Sequence, residues 1–207
     1  MQNFITIEGC DGVGKTYQTA KLKEYCLSTN QTDIIFTREP GGSKVAEKIR
    51  EIILDAKNDL SDLTEAFLYA GARVQHLDDV VIPALAKGKT VICDRFVHSS
   101  YAYQGFGRGL GYEKVRLLNA LAVGEYMPEY TFFLDLSPQQ AFRRKGGSDK
   151  SDRLENCGKD FYQKVYDGYR AVIAENPSRF VVIDASGERN ETHGKLVAEM
   201  RKKGIIK

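Results

Sequence analysis

The eight residues Gly9-Cys10-Asp11-Gly12-Val13-Gly14-Lys15-Thr16 decide the fold that we predict for this chain. They match the phosphate-binding pattern G-x-x-x-x-G-K-[ST] at every fixed position. The glycines let the backbone turn tightly, so that several N–H groups point at phosphate oxygens. Lys15 would bring a positive charge to the β- and γ-phosphates, and the Thr16 hydroxyl would bind Mg²⁺. The segment therefore predicts a site for a nucleoside triphosphate and Mg²⁺.

The sequence on either side of this loop supplies the context that the motif requires. An apolar run, Phe4–Glu8, precedes the loop, and a helical pattern, Lys15–Ser28, follows it. The motif acts between a strand and a helix, so this context favours phosphate binding over a glycine-rich turn at a sheet edge. The helix would also point its N-terminus at the same anion.

Four more β-rich runs recur along the chain, each nearly continuous in apolar residues: Asp33–Thr37, Thr90–Cys93, Tyr130–Leu136 and Phe180–Asp184. Such runs are typical of strands covered on both faces in a parallel sheet. Helical patterns separate them, at Ser43–Leu54, Thr64–Lys87 with a break near Pro83, Tyr112–Val123, Phe161–Glu175 and Glu191–Lys203. We therefore predict an α/β fold, with a five-stranded parallel sheet and helices on both of its faces.

Length and composition limit the classes of protein that fit the chain. Its 207 residues suit a single domain over 1–207, and its net charge of +2 does not favour nucleic acid or an anionic membrane as a partner. We find no signal peptide and no apolar run near the ~18 residues of a membrane span. The four cysteines are Cys10, Cys26, Cys93 and Cys157. Their spacing matches neither a metal site nor a disulfide framework, so we expect reduced thiols in a cytoplasmic protein.

Charged residues follow two of the predicted strands, at the sheet edge where ligands of open α/β sheets gather. The run Arg38-Glu39-Pro40-Gly41-Gly42 comes after the second strand, and Asp94-Arg95 comes after the third. An arginine at this edge can hold a phosphate through two hydrogen bonds, and an aspartate can reach a Mg²⁺-bound water. The alternatives are an ion pair in a surface turn and a structural ion pair.

A second group of residues is suited to binding a nucleobase. Tyr69 and Arg73 are four residues apart on the long predicted helix and so share one face. The ring can stack on a base while the guanidinium bonds a base carbonyl, although surface packing is the alternative. The stretch Ser99–Gly105 adds hydroxyl and amide groups that can recognise a base edge and a sugar.

The segment Arg143–Gly158 differs from the rest of the chain in being polar and highly charged. It indicates either a solvated loop or a mobile lid that brings positive charge to a ligand.

Together these segments resemble the thymidylate kinases, a branch of the P-loop nucleoside monophosphate kinases. The order and spacing match for the P-loop, Phe36–Gly42 (FTREPGG), Tyr69–Gln75 (YAGARVQ), Asp94–Ser100 (DRFVHSS) and Ala102–Gly105 (AYQG), and Leu134–Pro138 (LDLSP) fits the strand before the lid. The resemblance covers nearly the whole chain. It implies the family fold with a lid at 143–158, a homodimer, and Mg²⁺- and ATP-dependent phosphorylation of dTMP to dTDP by in-line transfer in dTTP biosynthesis.

The resemblance also implies roles at the phosphate end of the acceptor. Arg95 and Arg50 would hold the dTMP phosphate, and Arg38 and Glu39 would line the acceptor site, Glu39 through water or Mg²⁺. Asp11 would lie near the sugar 3′-hydroxyl. The implied Mg²⁺ ligands are Thr16, Glu39 and Asp94.

At the base end, the resemblance places Tyr69 against the thymine ring and Arg73 on a thymine carbonyl. Ser100 and Gln104 would meet the base edge. Tyr103 would pack against the sugar and disfavour a 2′-hydroxyl.

The chain departs from one branch of the family inside the P-loop. That branch has an arginine directly after the loop aspartate, and here Gly12 takes the position. The other branch carries the charge on the lid, where this chain has Arg143, Arg144, Lys145, Lys150 and Arg153. Arg144 and Arg153 match best, and the sequence does not choose between them. The predicted catalytic residues are therefore Lys15, Arg95 and these two lid arginines.

Two rival functions stay open. One is the same chemistry on a deoxynucleoside, guanylate or uridylate, although the set Tyr69, Arg73, Ser100 and Gln104 suits a pyrimidine with two carbonyls. The other is a GTP-binding switch, which needs an Asn-Lys-x-Asp segment that the sequence lacks. The run Asp184-Ala185-Ser186-Gly187 follows the last strand and fits a loop near adenine equally well.

Overall fold

The architecture is a parallel sheet between two layers of helices, seen in a computed structural model that describes residues 3–145, 153–154 and 157–207. The strands are β1 (Phe4–Glu8), β2 (Ile34–Arg38), β3 (Thr90–Asp94), β4 (Tyr130–Asp135) and β5 (Phe180–Asp184). Their order is β2-β3-β1-β4-β5, and every neighbouring pair is parallel. The predicted fold class is confirmed, and each strand end lies within one residue of its predicted position.

The helices are α1 (Lys15–Ser28), α2 (Lys44–Leu54), α3 (Asp62–His76), α4 (Ile82–Ala86), α5 (Val97–Ser100), α6 (Tyr112–Val123), α7 (Pro138–Lys145), α8 (Gly158–Glu175) and α9 (Arg189–Lys202). Two π-helical segments, Leu77–Val81 and Tyr101–Gly107, join α3 to α4 and extend α5. None of the helices in the described ranges has the length and apolarity to cross a membrane.

The helix predicted over Thr64–Lys87 is divided in the structure. It begins at Asp62, where the Ser61 side chain caps the helix by accepting from the Thr64 N–H, and it widens into the π-helical segment just before Pro83. Proline has no N–H for the carbonyl of the preceding turn, and a π-helical turn accommodates that missing bond without ending the helix.

Two apolar clusters, one on each face of the sheet, hold the helices in place. Alternate residues of β1 divide between them, because successive side chains of a strand point to opposite faces. Phe4 packs in the cluster that contains residues of α5, α6 and α8, while Ile5 and Ile7 pack in the cluster beneath α1 and α9. Both faces of the sheet are therefore covered by apolar side chains, as the nearly continuous apolar runs predict.

The strand order brings the P-loop and the Asp94-Arg95 pair to the same place. β1 lies between β3 and β4, and Ile7 of β1 pairs with Asp94 of β3. The Arg95 N–H donates to the Ile7 carbonyl at 3.0 Å, so the two strand ends are joined directly. Chain reversal beside β1 opens a crevice at these carboxyl ends, where ligands of open α/β folds bind.

Gly168 in α8 tests how tightly this helix packs on the π-helical segment Tyr101–Gly107. A Cβ at Gly168 would lie 2.8 Å from Cβ and ring atoms of Phe106, whereas a Cβ at Gly194 in α9 meets nothing within 4 Å. We expect Gly168→Ala to lower the free energy of unfolding by about 1–3 kcal/mol through overpacking. Gly194→Ala should raise it by about 0.5–1 kcal/mol through helix propensity.

Urea unfolding of the two variants checks this prediction. Equal stabilisation by both alanines would contradict the close packing of α8 on Phe106.

Candidate active site

A cleft of about 540 Å³ opens at the carboxyl ends of β1, β2 and β3. Its wall combines the P-loop with charged residues from several elements. The predicted site residues that line it are Asp11, Gly12, Val13, Gly14, Lys15, Thr16, Arg38, Glu39, Arg50, Tyr69, Arg73, Asp94, Arg95, Ser100, Tyr103, Gln104 and Arg144. Three predicted site residues lie outside this wall: Gly9, Cys10 and Arg153.

The lysine of the P-loop is buried beneath the loop. Its Nζ donates to the carbonyls of Gly9 and Cys10, each at 3.0 Å. Burial, with the positive charge of Arg95 second, lowers the pKa of Lys15 to about 8. Burial also raises the pKa of the Cys10 thiol to about 12, which leaves a neutral, unreactive side chain behind the loop.

Gly12 is held in a backbone conformation and a space that exclude a side chain. Its φ is +84°, and a Cβ would lie 2.6 Å from the carbonyl oxygen of Ala141 in α7. The backbone of α7 therefore packs directly on the P-loop. An arginine at this position, as in one branch of the family, would displace α7, so an arginine that supplements Lys15 would have to come from another element.

Among the described residues, four hydrogen bonds hold the guanidinium group of Arg95 in the cleft. Nη1 donates to Ser99 Oγ at 3.1 Å and to Tyr169 OH at 3.3 Å, and Nη2 donates to Asp11 Oδ1 at 2.5 Å and to Tyr103 OH at 3.2 Å. Its φ is +70°, a left-handed conformation that costs a non-glycine residue free energy. Such strain persists where the surrounding structure holds the side chain in one place.

Glu8 is a site residue that sequence reasoning misses. Its carboxylate is fully buried and accepts from the Phe96 N–H at 2.8 Å, from Ser99 Oγ at 2.6 Å and from Tyr169 OH at 2.8 Å. Burial raises its pKa, which the charge of Arg95 opposes. Glu8 thus orients two of the hydroxyls that hold Arg95. The signal in the sequence that could have identified Glu8 is a carboxylate at the end of a strand whose other residues, apart from Thr6, are apolar.

Glu39 and Arg73 form a buried ion pair. Arg73 Nε donates to Glu39 Oε2 at 2.9 Å, and His76 Nδ1 lies 2.9 Å from Glu39 Oε1. Arg73 also donates from Nη1 to Asn119 Oδ1 and from Nη2 to Ser100 Oγ. Both oxygens of Glu39 therefore have protein partners, and this arrangement gives no support to its predicted role as a Mg²⁺ ligand.

Two further arginines meet at the edge of the cleft. Arg38 and Arg50 donate to the same carbonyl oxygen, that of Pro40, at 3.0 Å and 2.9 Å. Arg38 also pairs with Glu47 at 3.0 Å in a largely exposed ion pair. The turn after β2 thus places two guanidinium groups side by side, an arrangement suited to a phosphate.

Asp94 and Thr16 suit a Mg²⁺ ion. Both line the cleft, and Asp94 Oδ1 is buried with no hydrogen-bond partner among the described residues. Within those residues no group of three or more His, Cys, Asp or Glu side chains could hold a metal. The carboxylate of Asp94 and the hydroxyl of Thr16 together fit Mg²⁺, because this ion usually takes only one or two protein ligands and keeps water and phosphate oxygens as the others.

The two candidate lid arginines lie in different places. Arg144 lines the cleft and donates to the carbonyls of Ala185, Ser186 and Gly187, each at 2.7 Å. Arg153 instead pairs with Glu65 and donates from Nε to the Ile53 carbonyl at 3.1 Å. Of the other basic lid residues, Arg143 is exposed, and Lys150 and the side chain of Lys145 lie outside the described residues.

The sheet order, the phosphate-binding loop after β1 and the cationic cleft define a P-loop kinase of the nucleoside monophosphate kinase class. A family model described as thymidylate kinase matches residues 7–196. A thymidylate kinase of Thermoanaerobacter sp. (strain X514) is 44% identical over 96% of this chain and 97% of its own. A thymidylate kinase of Mycoplasmopsis pulmonis is 50% identical over 92% of this chain and 84% of its own.

A solved structure agrees with these sequence matches. The crystal structure of thymidylate kinase from Ehrlichia chaffeensis superposes with a TM-score of 0.78 and 31% identity, covering 96% of this chain and 97% of that one. The chain belongs to the thymidylate kinase family, and the predicted resemblance is confirmed.

The pKa of Lys15 predicts how triphosphate binding depends on pH. In the free protein Lys15 has a pKa of about 8, and bound phosphates stabilise its charged form and so raise that pKa. The binding free energy that Lys15 contributes is therefore fully present below pH 8 and is lost as the pH rises above it. We expect the affinity for ATP to fall by up to about tenfold per pH unit above pH 8.

Calorimetric titrations at pH 7, 8 and 9 measure this effect. Lys15→Arg is the control, since its side chain stays charged throughout and should remove the dependence. Equal wild-type affinities at pH 7 and 9 would contradict the prediction.

Proposed function

We propose that this protein transfers the γ-phosphoryl group of ATP to dTMP, forming ADP and dTDP. The observation that carries the proposal is the joining, in one cleft, of a triphosphate-binding loop with a second cluster of cations, Arg38, Arg50 and Arg95. A P-loop alone accounts for the donor. The second cluster accounts for an acceptor that is itself a phosphate, and membership of the thymidylate kinase family supports dTMP as that acceptor.

The base-binding end of the cleft supports a pyrimidine with carbonyl groups. Tyr69 lines the cleft and offers an aromatic face, beside Arg73, Ser100 and Gln104. Among the described residues Arg73 donates through three of its five N–H groups, so two stay available to a base carbonyl. Tyr103, held by Asp11 at 3.0 Å, would lie against the deoxyribose.

The chemistry needs positioning and charge neutralisation rather than a strong base. The acceptor phosphate already carries the attacking oxygen as an anion, so no side chain has to remove a proton from it. Arg95 would hold that phosphate in line with the γ-phosphorus, and Lys15 would offset charge on the transferring group. The strain and the many bonds of Arg95 suit this fixed placement.

Thr16 and Asp94 would hold Mg²⁺, Asp94 through water. The ion would neutralise charge on the β- and γ-phosphates when bound. Glu39 is better assigned to positioning Arg73 than to the metal, because both of its oxygens are already bonded.

Arg144 is the lid arginine that we assign to the donor side of the cleft. It lines the cleft and is held by the loop after β5, the loop that fits a site near adenine. Arg153 would act by docking its part of the lid on α2 and α3. The protein then acts as one catalytic unit, with a lid over 143–158 that keeps water from the transferring group.

We further propose that the enzyme is a homodimer and works in the cytoplasm. α3 packs against α6, and the two present large apolar side chains to solvent, with Phe67 59%, Leu117 62% and Leu121 93% exposed. An apolar surface of this kind is typical of an interface between subunits, and a second copy of the chain would cover it. The four free thiols suit a reducing compartment.

The experiment that tests the proposed function measures ADP formed from ATP with dTMP, dUMP, dGMP or dAMP. We expect dTMP to be used best and the purine nucleotides to be used poorly. Preference for a purine acceptor would contradict the assignment of the base-binding residues. GTP turnover with no phosphorylated acceptor would favour a switch protein instead.

Arg95→Ala tests the acceptor site itself. We expect kcat/KM for dTMP to fall at least about 10²–10³-fold, because the variant loses a preorganised cation at the acceptor phosphate. ATP affinity should change little, and its measurement shows that the variant is folded. Arg116→Ala is the control, since Arg116 makes an exposed ion pair with Glu113 on α6. Near-normal turnover by Arg95→Ala would show the assignment to be wrong.

Leu121→Glu tests the dimer. Burying the charge of a glutamate in an apolar interface costs free energy, which would weaken association of the two subunits. We therefore expect light scattering at micromolar concentration to give the mass of a monomer. Leu27→Glu is the matched control, because Leu27 on α1 is also exposed, at 60%. If both variants keep the mass of the wild type, the proposed α3–α6 interface is excluded.

A further inference from the structure

Glu65 is a buried carboxylate that the proposed mechanism does not use. It lies in the first turn of α3 with no solvent exposure. Its oxygens accept from Gln104 Nε2 at 2.7 Å, from Arg108 Nη2 at 2.9 Å and from Arg153 Nη2. Two guanidinium groups pair with this carboxylate and offset the cost of burying it.

The Glu65 carboxylate, paired with two arginines, decides which way the Gln104 carboxamide faces. A carboxylate only accepts hydrogen bonds, so the amide must turn its NH₂ group towards Glu65. The carboxamide oxygen has no donor among the described residues. Because Gln104 lines the cleft, this oxygen is the group that a ligand can use.

The fixed orientation makes the cleft selective for one type of pyrimidine edge. Thymine and uracil have an N3–H donor beside a C4 carbonyl, which match an amide oxygen and the free N–H groups of Arg73. Cytosine has an N3 acceptor beside a C4 amino group, so acceptor would face acceptor and donor would face donor. A site that leaves such groups unpaired rejects the wrong ligand strongly.

We propose that Glu65 is a positioning residue that holds the Gln104 carboxamide oxygen towards the base and so selects thymine or uracil over cytosine. The inference rests on the proposed function, and it goes further by assigning base selectivity to a side chain outside the cleft wall. The alternative is a purely structural role, in which Glu65 only neutralises Arg108 and Arg153. That role predicts equal effects on every nucleotide.

The test compares kcat/KM for dTMP, dUMP and dCMP in the wild type and in Glu65→Gln. A glutamine at this position can donate as well as accept, so the Gln104 amide is free to turn over. We expect the preference for dTMP over dCMP to fall at least about tenfold, and the preference for dUMP over dCMP to fall in parallel. Glu65→Asp keeps the charge that the arginines need while drawing it away from Gln104, and it should lower both preferences less.

Two more variants separate positioning from structure. Gln104→Met should lose the same preference, and adding Glu65→Gln to it should change the preference no further, because Glu65 acts through Gln104. Arg108→Gln removes a partner of Glu65 whose side chain makes no hydrogen bond to the Gln104 side chain among the described residues. It should lower the melting temperature and leave the dTMP-to-dCMP ratio unchanged.

The outcomes distinguish this inference from the function on which it rests. If the wild type phosphorylates dTMP and neither Glu65 variant changes the ratio, the role of Glu65 is wrong and the proposed function stands. An unchanged ratio in Gln104→Met would likewise overturn the inference. A wild type that phosphorylates no pyrimidine nucleotide overturns both.

Discussion

The crowding of positive charge in one cleft is the constraint on which the rest of the structure depends. Lys15 is buried near Arg95. Its burial, and second the positive charge of Arg95, lower the pKa of Lys15 to about 8. Such cations are tolerated because backbone carbonyls hold Lys15 and because carboxylate and hydroxyl oxygens hold Arg95. In the proposed function, bound phosphates would complete the neutralisation. The strand order serves this purpose by joining the end of β1 to the end of β3.

Three of the side chains in the cleft wall are backed by a buried glutamate. Glu8 orients the hydroxyls around Arg95, Glu39 fixes Arg73, and Glu65 sets the direction of the Gln104 amide. Side chains that are held in this way lose little conformational entropy when a ligand binds, which favours both affinity and selectivity. These contacts therefore hold Arg95, Arg73 and Gln104 in the orientations that the proposed acceptor site requires.

The sequence predicts the fold and the cleft wall well, because both depend on local signals. The P-loop and the continuous apolar strands are short patterns, and residues at strand ends reach the cleft by topology alone. The supporting layer is different, since Tyr169 meets Arg95 across 74 positions and Asn119 meets Arg73 across 46. Nothing local to those residues marks such contacts. The pairing of Arg153 with Glu65, and the space that excludes a side chain at Gly12, also arise only from tertiary packing.

The central claim is that one cleft passes a phosphoryl group directly between two bound phosphates. Phosphorus NMR of the enzyme with ATP, Mg²⁺ and dTMP tests it most directly. The account predicts that the γ-phosphate signal of ATP declines at the rate at which the β-phosphate signal of dTDP appears, with no inorganic phosphate formed. Accumulation of inorganic phosphate while dTMP stays unchanged would contradict it.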